Sequence, residues 1–478
     1  MKNSSKKQLT INAILNVTKQ LASIVFPLVT FPYITKTLGV EPYGQYNYIA
    51  SIISYIALIA GLGITNYAVR EGSRLKENKI ALNKFINEII SLNCLAVLIA
   101  YIILFGVIIY YNTVPTYKTL LIIQGASVFF GVIGCEWLNV IYEDYTFITI
   151  RYIAFQLIAV ISTFVFVKEP KDLYKYAMIS QIAGVFANLS NIIHFRAKWK
   201  IKFHLVFRRS IFSHLKYVLI LFANAVSMLI YVNSDITIIG IMCGDTDVGI
   251  YSVAVKIYTI VKQLLNAMLL VAVPRMARWT GRKGKELLDK QLNELLKGLL
   301  IFLIPAIVGL FSLSEEIVVL LSGPEYSLAQ DALKVLAVTL CFSTGVCFYS
   351  NLVLIPNNME KHILKATVIS AVINILLNII LIPIYGFIAA AYTTLISEGF
   401  SVIYMIVASK SKYFPSIYRY FIGCVVSGLI VFACCSYVKG LQKNGIETIA
   451  LSVVLSVFCW CVYWAVLFII GKKIARKK

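Results

Sequence analysis

An all-α, polytopic membrane protein of about fourteen transmembrane helices is the fold class the sequence predicts, on three observations. The chain of 478 residues is 59% hydrophobic and 14% charged, and its apolar runs return at close to the twenty residues a bilayer needs. Lys and Arg, which give a formal charge of +22, fall in alternate loops instead of gathering on one domain. The third observation is a repeat. Leu38-Gly39-Val40-Glu41-Pro42-Tyr43-Gly44 reads as a tight polar turn between two apolar spans. Gly39, Gly44, Tyr46 and Arg70 come back as Gly244, Gly249, Tyr251 and Arg275, at one constant offset. Both copies lie on a turn between spans, so the chain reads as two related halves, a plan common among transporters.

The elements follow in order. A basic N-terminus, MKNSSKKQLT, runs into the first span, Ile11–Ile34, without a small-residue cleavage site, and reads as a retained helix. Pro27 and Pro32 should bend that span. The turn at Gly39 leads to Tyr46–Val69, and then come Phe85–Tyr110, Lys118–Leu138, Thr146–Val167 and Leu173–His194. A basic stretch from Arg196 to Lys216 separates these six from Leu215–Met242, the first span of the second half. Gly249–Pro274, Leu292–Leu313 and Ala329–Leu352 follow. Ile363–Ile384 and Phe387–Ala408 are joined only by the short turn at Pro383-Ile384-Tyr385-Gly386. Arg419–Val438 and Thr448–Ile470 complete the set.

The loops after even-numbered spans hold most of the cations, among them Arg70, Arg74, Lys76, Arg196, Lys198, Arg208, Arg278 and Lys410. Those after odd-numbered spans hold acids such as Glu41, Asp245, Glu315 and Glu325. By the positive-inside rule the first side is cytoplasmic, and an even number of spans puts both termini there. The basic excess therefore reports orientation, and no nucleic acid partner is expected. The ten cysteines lie mostly within apolar runs, with no zinc-ligand spacing. No metal set, nucleophile–His–acid set or Gly-rich phosphate loop is evident, and the outer loops are too short to build an enzyme site. Any chemistry must lie within the membrane.

An ionisable residue inside a span costs about 2.5–3.5 kcal/mol on insertion scales, so each asks for a reason. The deepest are Lys19, Asp235, Lys256 and Lys262, and none is matched at the equivalent position of the other half. For Lys19 snorkelling to the cytoplasmic surface is a second reading, and for Asp235 and Lys256 mutual neutralisation is. Lys262 is too deep to snorkel easily and reads as lining a water-filled cavity. A second tier lies nearer the interfaces: Glu88, Glu136, Arg151, Lys297, Asp331, Glu398 and Arg419. A solvated helix end is the preferred reading for each. Fixed cations in mid-membrane suit an anionic ligand, because they offset the cost of bringing negative charge out of water. Asp235 would hold a lysine or release it, and Asn224, Asn233, Gln263 and Asn266 could offer further polar contacts.

Several stretches carry a family likeness: Pro27 and Pro32, the Leu38–Gly39 and Tyr43-Gly44-Gln45-Tyr46 turn, Tyr67-Ala68-Val69-Arg70-Glu71, and Glu136-Trp137 with Glu143 and Arg151. The run from Asn374 and Asn378 to Pro383-Ile384-Tyr385-Gly386 adds to them. Over nearly its whole length the chain resembles the polysaccharide-export (Wzx-type) flippases of the multidrug/oligosaccharidyl-lipid/polysaccharide transporter superfamily. Tyr142 before Glu143, where that family often has Gly, is a departure.

The resemblance implies two pseudo-symmetric six-helix lobes, residues 1–195 and 215–408. A cytoplasmic linker, 196–214, would join them, and two additional helices with a basic tail, 409–478, would follow. It implies a cavity between the lobes that opens alternately to each side of a bacterial cytoplasmic membrane. The substrate would be an undecaprenyl-pyrophosphate-linked oligosaccharide for O-antigen, capsule or exopolysaccharide, with Lys19, Lys256 and Lys262 as its pyrophosphate contacts. Membrane lipids, a polysaccharide polymerase and chain-length proteins would be the partners. No cofactor is implied, and coupling to an ion gradient or the membrane potential is left open. Two alternatives stay open: an ion-coupled multidrug exporter of the same superfamily, which calls for deep carboxylates, and a membrane glycosyltransferase or polymerase.

Overall fold

Helices dominate the computed structural model, which describes residues 2–201, 203–206, 208–270, 285–410, 413–441 and 445–475. No strand occurs among these, and fourteen of their helical segments are long and apolar enough to cross a membrane. The chain divides into two compact units, Met1–Gly240 and Ile241–Lys478.

The first unit contains α1 (Lys2–Leu38), α2 (Val40–Gly61), α3 (Ile64–Leu75), α4 (Lys79–Tyr110), α5 (Pro115–Ile133), α6 (Glu136–Ile141), α7 (Tyr145–Phe166) and α8 (Leu173–His194). Nearly all of α9 (Leu215–Met242) belongs to it as well. Hydrocarbon is the solvent for these helices. On α4, Leu98, Ile102, Phe105 and Ile109 recur three or four apart and are exposed, while Ala96, Ala100 and Leu104 face inward and are buried.

Two expected spans are broken. The second becomes α2 and α3, separated at Leu62 and Gly63, whose φ angles of 46° and 65° are left-handed. A Cβ on Gly63 would lie 2.9 Å from the backbone nitrogen of Phe222, so no side chain fits there. The fourth becomes α5 and α6, with Cys135 between them at φ 40°. Hydropathy runs straight through both breaks, and the backbone does not. The turn after α1 is also tighter than expected: Gly39 alone, at φ 78°, separates α1 from α2. Glu41, Pro42 and Tyr43 belong to the first turn of α2, where a proline's missing N–H costs nothing. In the second half Gly244, at φ 97°, takes the same place before α10 (Asp245–Leu270). Arg275, the last residue of the repeat, lies outside the described residues, as do Pro274 and Arg278.

The stretch expected to link the lobes is fastened to α4. Asn87 Oδ1 accepts from the His204 N–H at 3.0 Å, and Ser91 Oγ accepts from the Val206 N–H at 2.8 Å. Glu88 accepts from Ser210 Oγ at 2.8 Å and lies 3.2 Å from His214 Nε2. α9 itself is held to α2, with Asn233 donating to Ser54 Oγ at 3.0 Å and the hydroxyls of Ser51 and Thr237 3.0 Å apart. That seam explains why the boundary between units falls at Gly240 and not at the start of α9.

The second unit holds α10, α11 (Lys285–Ser312), α12 (Ser314–Ser322), α13 (Ala329–Phe348), α14 (Glu360–Tyr385), α15 (Ile388–Ser409), α16 (Tyr413–Gly440) and α17 (Gly445–Ala475). Between α14 and α15 stand only Gly386, at φ 65°, and Phe387; the junction is short as expected, but Pro383, Ile384 and Tyr385 are the last residues of α14 and not part of the turn. Asn374 and Asn378 lie one turn apart on α14 and are fully buried. Asn378 donates to Asn374 Oδ1 at 3.2 Å and accepts from Thr393 Oγ1 at 2.5 Å, a polar weld between α14 and α15.

Candidate functional site

In the first unit the break at Cys135 turns Glu136 away from the axis of α5 and towards α1 and α7. Lys19 Nζ, on α1, lies 2.7 Å from Glu136 Oε1 and 5.7 Å from the centre of the Tyr152 ring. Arg151, on α7, donates from Nη2 to Glu136 Oε2 at 2.8 Å and from Nη1 to the Ala187 carbonyl at 3.0 Å. One carboxylate thus bridges two cations, and the cluster carries a net charge of +1. Its ends differ in exposure: 4% for the Arg151 side chain, 28% for Lys19 and 41% for Glu136. The guanidinium is a fixed, buried anchor, and the Lys19–Glu136 side is the open one.

In the second unit Lys262 Nζ, on α10, lies 3.0 Å from Glu398 Oε1, on α15, and 5.4 Å from the centre of the Tyr258 ring. The Glu398 side chain is 5% exposed and that of Lys262 28%. Lys256, one and two-thirds turns earlier on α10, is half-buried and makes no ion pair among the described residues.

The remaining predicted residues are spread out. Asp235 is buried on α9 in the first unit, beside the seam to α2; Lys256 belongs to the second unit. Glu88 is not a solvated helix end: burial and its ties to Ser210 and His214 make it an anchor of the linker. Lys297 pairs with Glu294 one turn back at 2.8 Å, and Asp331 with Lys334 at 3.0 Å, both local to their helices. The side chain of Arg419, on α16, lies outside what is described, as does that of Asn224. Two apolar grooves, of about 710 Å³ beside Tyr101 and Phe129 and about 390 Å³ beside Pro305 and Trp460, are lined by none of the predicted site residues.

The sequence reading set Glu136 and Glu398 aside as solvated helix ends; the structure corrects this for Glu398, while Glu136 does open α6 but is tied into ion pairs as well. Glu398 stands midway along Ile388–Ser409 and is buried, and Glu136 is the centre of an ion cluster. The insertion cost that singled out Lys262 applies equally to Glu398, so the signal was there. Near the membrane edge a second cluster forms, where Asp144 accepts from Lys198 and lies 3.0 Å from His194 Nε2. Burial alone would raise the Asp144 carboxyl, but the hydrogen bonds from Lys198 and His194 outweigh it and hold the group below its usual range.

Fold and charge placement together define a polytopic α-helical membrane protein with ionised groups set inside its spans. Its fold is similar to that of the lipid II flippase MurJ in an inward closed conformation. The TM-score is 0.76 at 17% identity, over 96% of this chain and 99% of that one, which is a likeness of fold. Residues 9–280 match the family model for polysaccharide biosynthesis proteins, and the chain belongs to that family. Residues 220–384 also match the MatE model. A protein of Shigella dysenteriae named as an O-antigen transporter is 24% identical over 395 residues, 81% of this chain and 97% of that protein. A protein of Haloferax volcanii named as a low-salt glycan biosynthesis flippase, Agl15, is 29% identical over 227 residues, 47% of each chain.

Proposed function

We propose that this membrane transporter is a flippase that carries undecaprenyl-diphosphate-linked oligosaccharide units from the inner to the outer leaflet of a bacterial cytoplasmic membrane. Alternating access would move them, with both termini in the cytoplasm. The observation that carries the reading is the Lys19–Glu136–Arg151 cluster: two cations on one carboxylate, net positive, with its open side on Lys19 and Glu136 together. A diphosphate needs fixed positive charge to leave water, and a buried guanidinium behind a reachable ammonium supplies it. Family membership and the names of the two relatives support the substrate class. Lys256 and Lys262 add positive charge from α10, and Asp235 acts as a charge partner as the protein changes state. Polymerase and chain-length proteins would take the product, and an ion gradient or the membrane potential would drive the cycle.

The test is genetic and chemical together. Removing the gene from its host should abolish surface polysaccharide and leave diphosphate-linked units on the inner leaflet. Lys19→Ala should do the same at unchanged protein level. Normal polymer in the Lys19→Ala strain would remove the diphosphate contact from the account. A second reading, an ion-coupled exporter of organic cations, draws on the buried carboxylate Glu398, on Glu136 and on the MatE match. Efflux of a cationic dye by the purified protein in vesicles, with no loss of polysaccharide in the deleted host, would favour it.

A further inference from the structure

The linker crosses α4 on the face that looks into the bilayer. Asn87 and Ser91, which hold the backbone of His204 and Val206, precede Leu98 and Ile102 by about three turns each, so the four share one stripe. Farther along that stripe Leu98, Ile102, Phe105 and Ile109 are exposed and meet hydrocarbon. α4 has 32 residues, about 48 Å of helix against a hydrocarbon core of about 30 Å, and Asn87 and Ser91 stand about 12 and 18 Å from its first residue. With Tyr110 closing the far end, the crossing falls where headgroups meet acyl chains. Its composition suits that level. Leu205, between the two fastened N–H groups, and Phe212 are exposed, and so are the cations Arg208 on the linker and Lys84 one turn before Asn87. Glu88 is buried and engaged by Ser210 and His214, and the exposed Glu77 is offset by Lys79 at the foot of α4. Less than one turn past Ser91 the groove of about 710 Å³ between α4 and α5 begins at Cys94, and Leu98, Phe105 and Phe129 line it. Tyr101, also in its wall, spends its hydroxyl on the Gly125 carbonyl at 2.9 Å, so the groove asks for no polar partner there.

We propose that this face of α4 is a binding site for an anionic diacyl phospholipid, with its phosphate at Lys84 and Arg208 and one acyl chain laid along the groove from Cys94 to Phe129. Charge complementarity selects the head, because exposed cations at the membrane surface draw anionic lipids. Continuity of the stripe with the groove places the chain, since both lie on the same side of α4 and follow one another along it. Either half alone would be ordinary membrane surface. Together they fit a molecule with a negative head and an apolar chain in line. The lipid would shield from water the two backbone bonds that fasten the linker to Asn87 and Ser91. The site lies wholly within the first unit, away from Lys19, Glu136 and Arg151 in sequence, and holds whatever substrate the protein carries.

The probe is phosphatidylglycerol with a photoactivatable diazirine in one acyl chain, at trace level in phosphatidylcholine vesicles that hold the purified full-length protein. After illumination, mass spectrometry should place the label on the α4 and α5 residues that line the groove. Unlabelled phosphatidylglycerol should displace it, and further phosphatidylcholine should not. Lys84→Ala with Arg208→Ala should lower the labelling about thirtyfold, about fivefold for each cation lost. Lys171→Ala with Lys361→Ala, an equal loss of exposed charge elsewhere, should leave it unchanged. Leu98→Trp, which fills the groove and keeps both cations, should remove it. Label that phosphatidylcholine displaces equally well, or that survives the loss of both cations, overturns the proposal and makes the groove ordinary boundary surface. Label that undecaprenyl phosphate displaces better than phosphatidylglycerol also overturns it, and gives the groove to a prenyl chain. The competition is read on wild type, so the proposal is tested even where a variant fails to insert.

Discussion

Replacing Glu136 with Gln separates the two arms of the first-unit cluster. After the change Arg151, 4% exposed, has a neutral amide in place of its counter-charge, keeps the Ala187 carbonyl, and its Nε has no partner among the described residues. Breaking a fully enclosed ion pair costs about 3–5 kcal/mol. Glu136 is itself 41% exposed, so water lowers the figure here to about 2–3 kcal/mol. The Lys19 arm is open at both ends and is worth about 0–1 kcal/mol. Glu136→Gln should therefore destabilise this corner by about 2 kcal/mol more than Lys19→Ala, about 30-fold in the opening equilibrium. Cys135, buried and next in sequence, is the reporter. In a variant retaining only that cysteine, a thiol reagent should label Glu136→Gln roughly 30-fold faster than Lys19→Ala. Adding Arg151→Met to Glu136→Gln should slow the labelling again, because no charge is then stranded. Equal rates in the two single variants, or faster labelling in the double one, would refute the division into a structural arm and an open arm.

Gly39→Ala and Gly244→Ala should each cost about 1–3 kcal/mol through backbone strain, as their φ angles are 78° and 97°. Nothing crowds Gly244, so its loss in thermal stability would measure strain alone. Asp144, held below its usual range, stabilises the fold fully above the unfolded carboxylate value of about 3.9 and ceases to as pH falls through its own lower value. Wild type should therefore show an acid-induced loosening below about pH 4, visible in the fluorescence of Trp199 beside Lys198. Asp144→Asn should lack that pH dependence and be less stable at pH 7.

Much of the fold was legible because each span is an apolar run with polar ends, and because Gly39 and Gly244 mark corresponding turns in the two halves. The breaks at Gly63 and Cys135 were not, since neither residue interrupts hydropathy. What decides them is tertiary: the backbone of Phe222 against Gly63, and the cations that draw Glu136 aside. The lysines stood out because a charge in an apolar run is costly wherever it points. Their partners did not, because Glu136 is 117 residues from Lys19, and Glu398 is 136 from Lys262. Only the folded chain pairs them. The reverse error befell Glu88, whose place near a span end hid its burial against the linker.

The linker's anchors and the seam between α2 and α9 change what a cut in that loop would mean. The chain passes from one compact unit to the other at Gly240–Ile241, in the last turn of α9. A protease nick near Arg208 would sever α8 from α9 inside the first unit, and Ser210 and His214 would still tie the new end to Glu88. Two fragments split there should co-purify as one particle, making the loop a permissive place for a tag or for expressing the protein in two pieces.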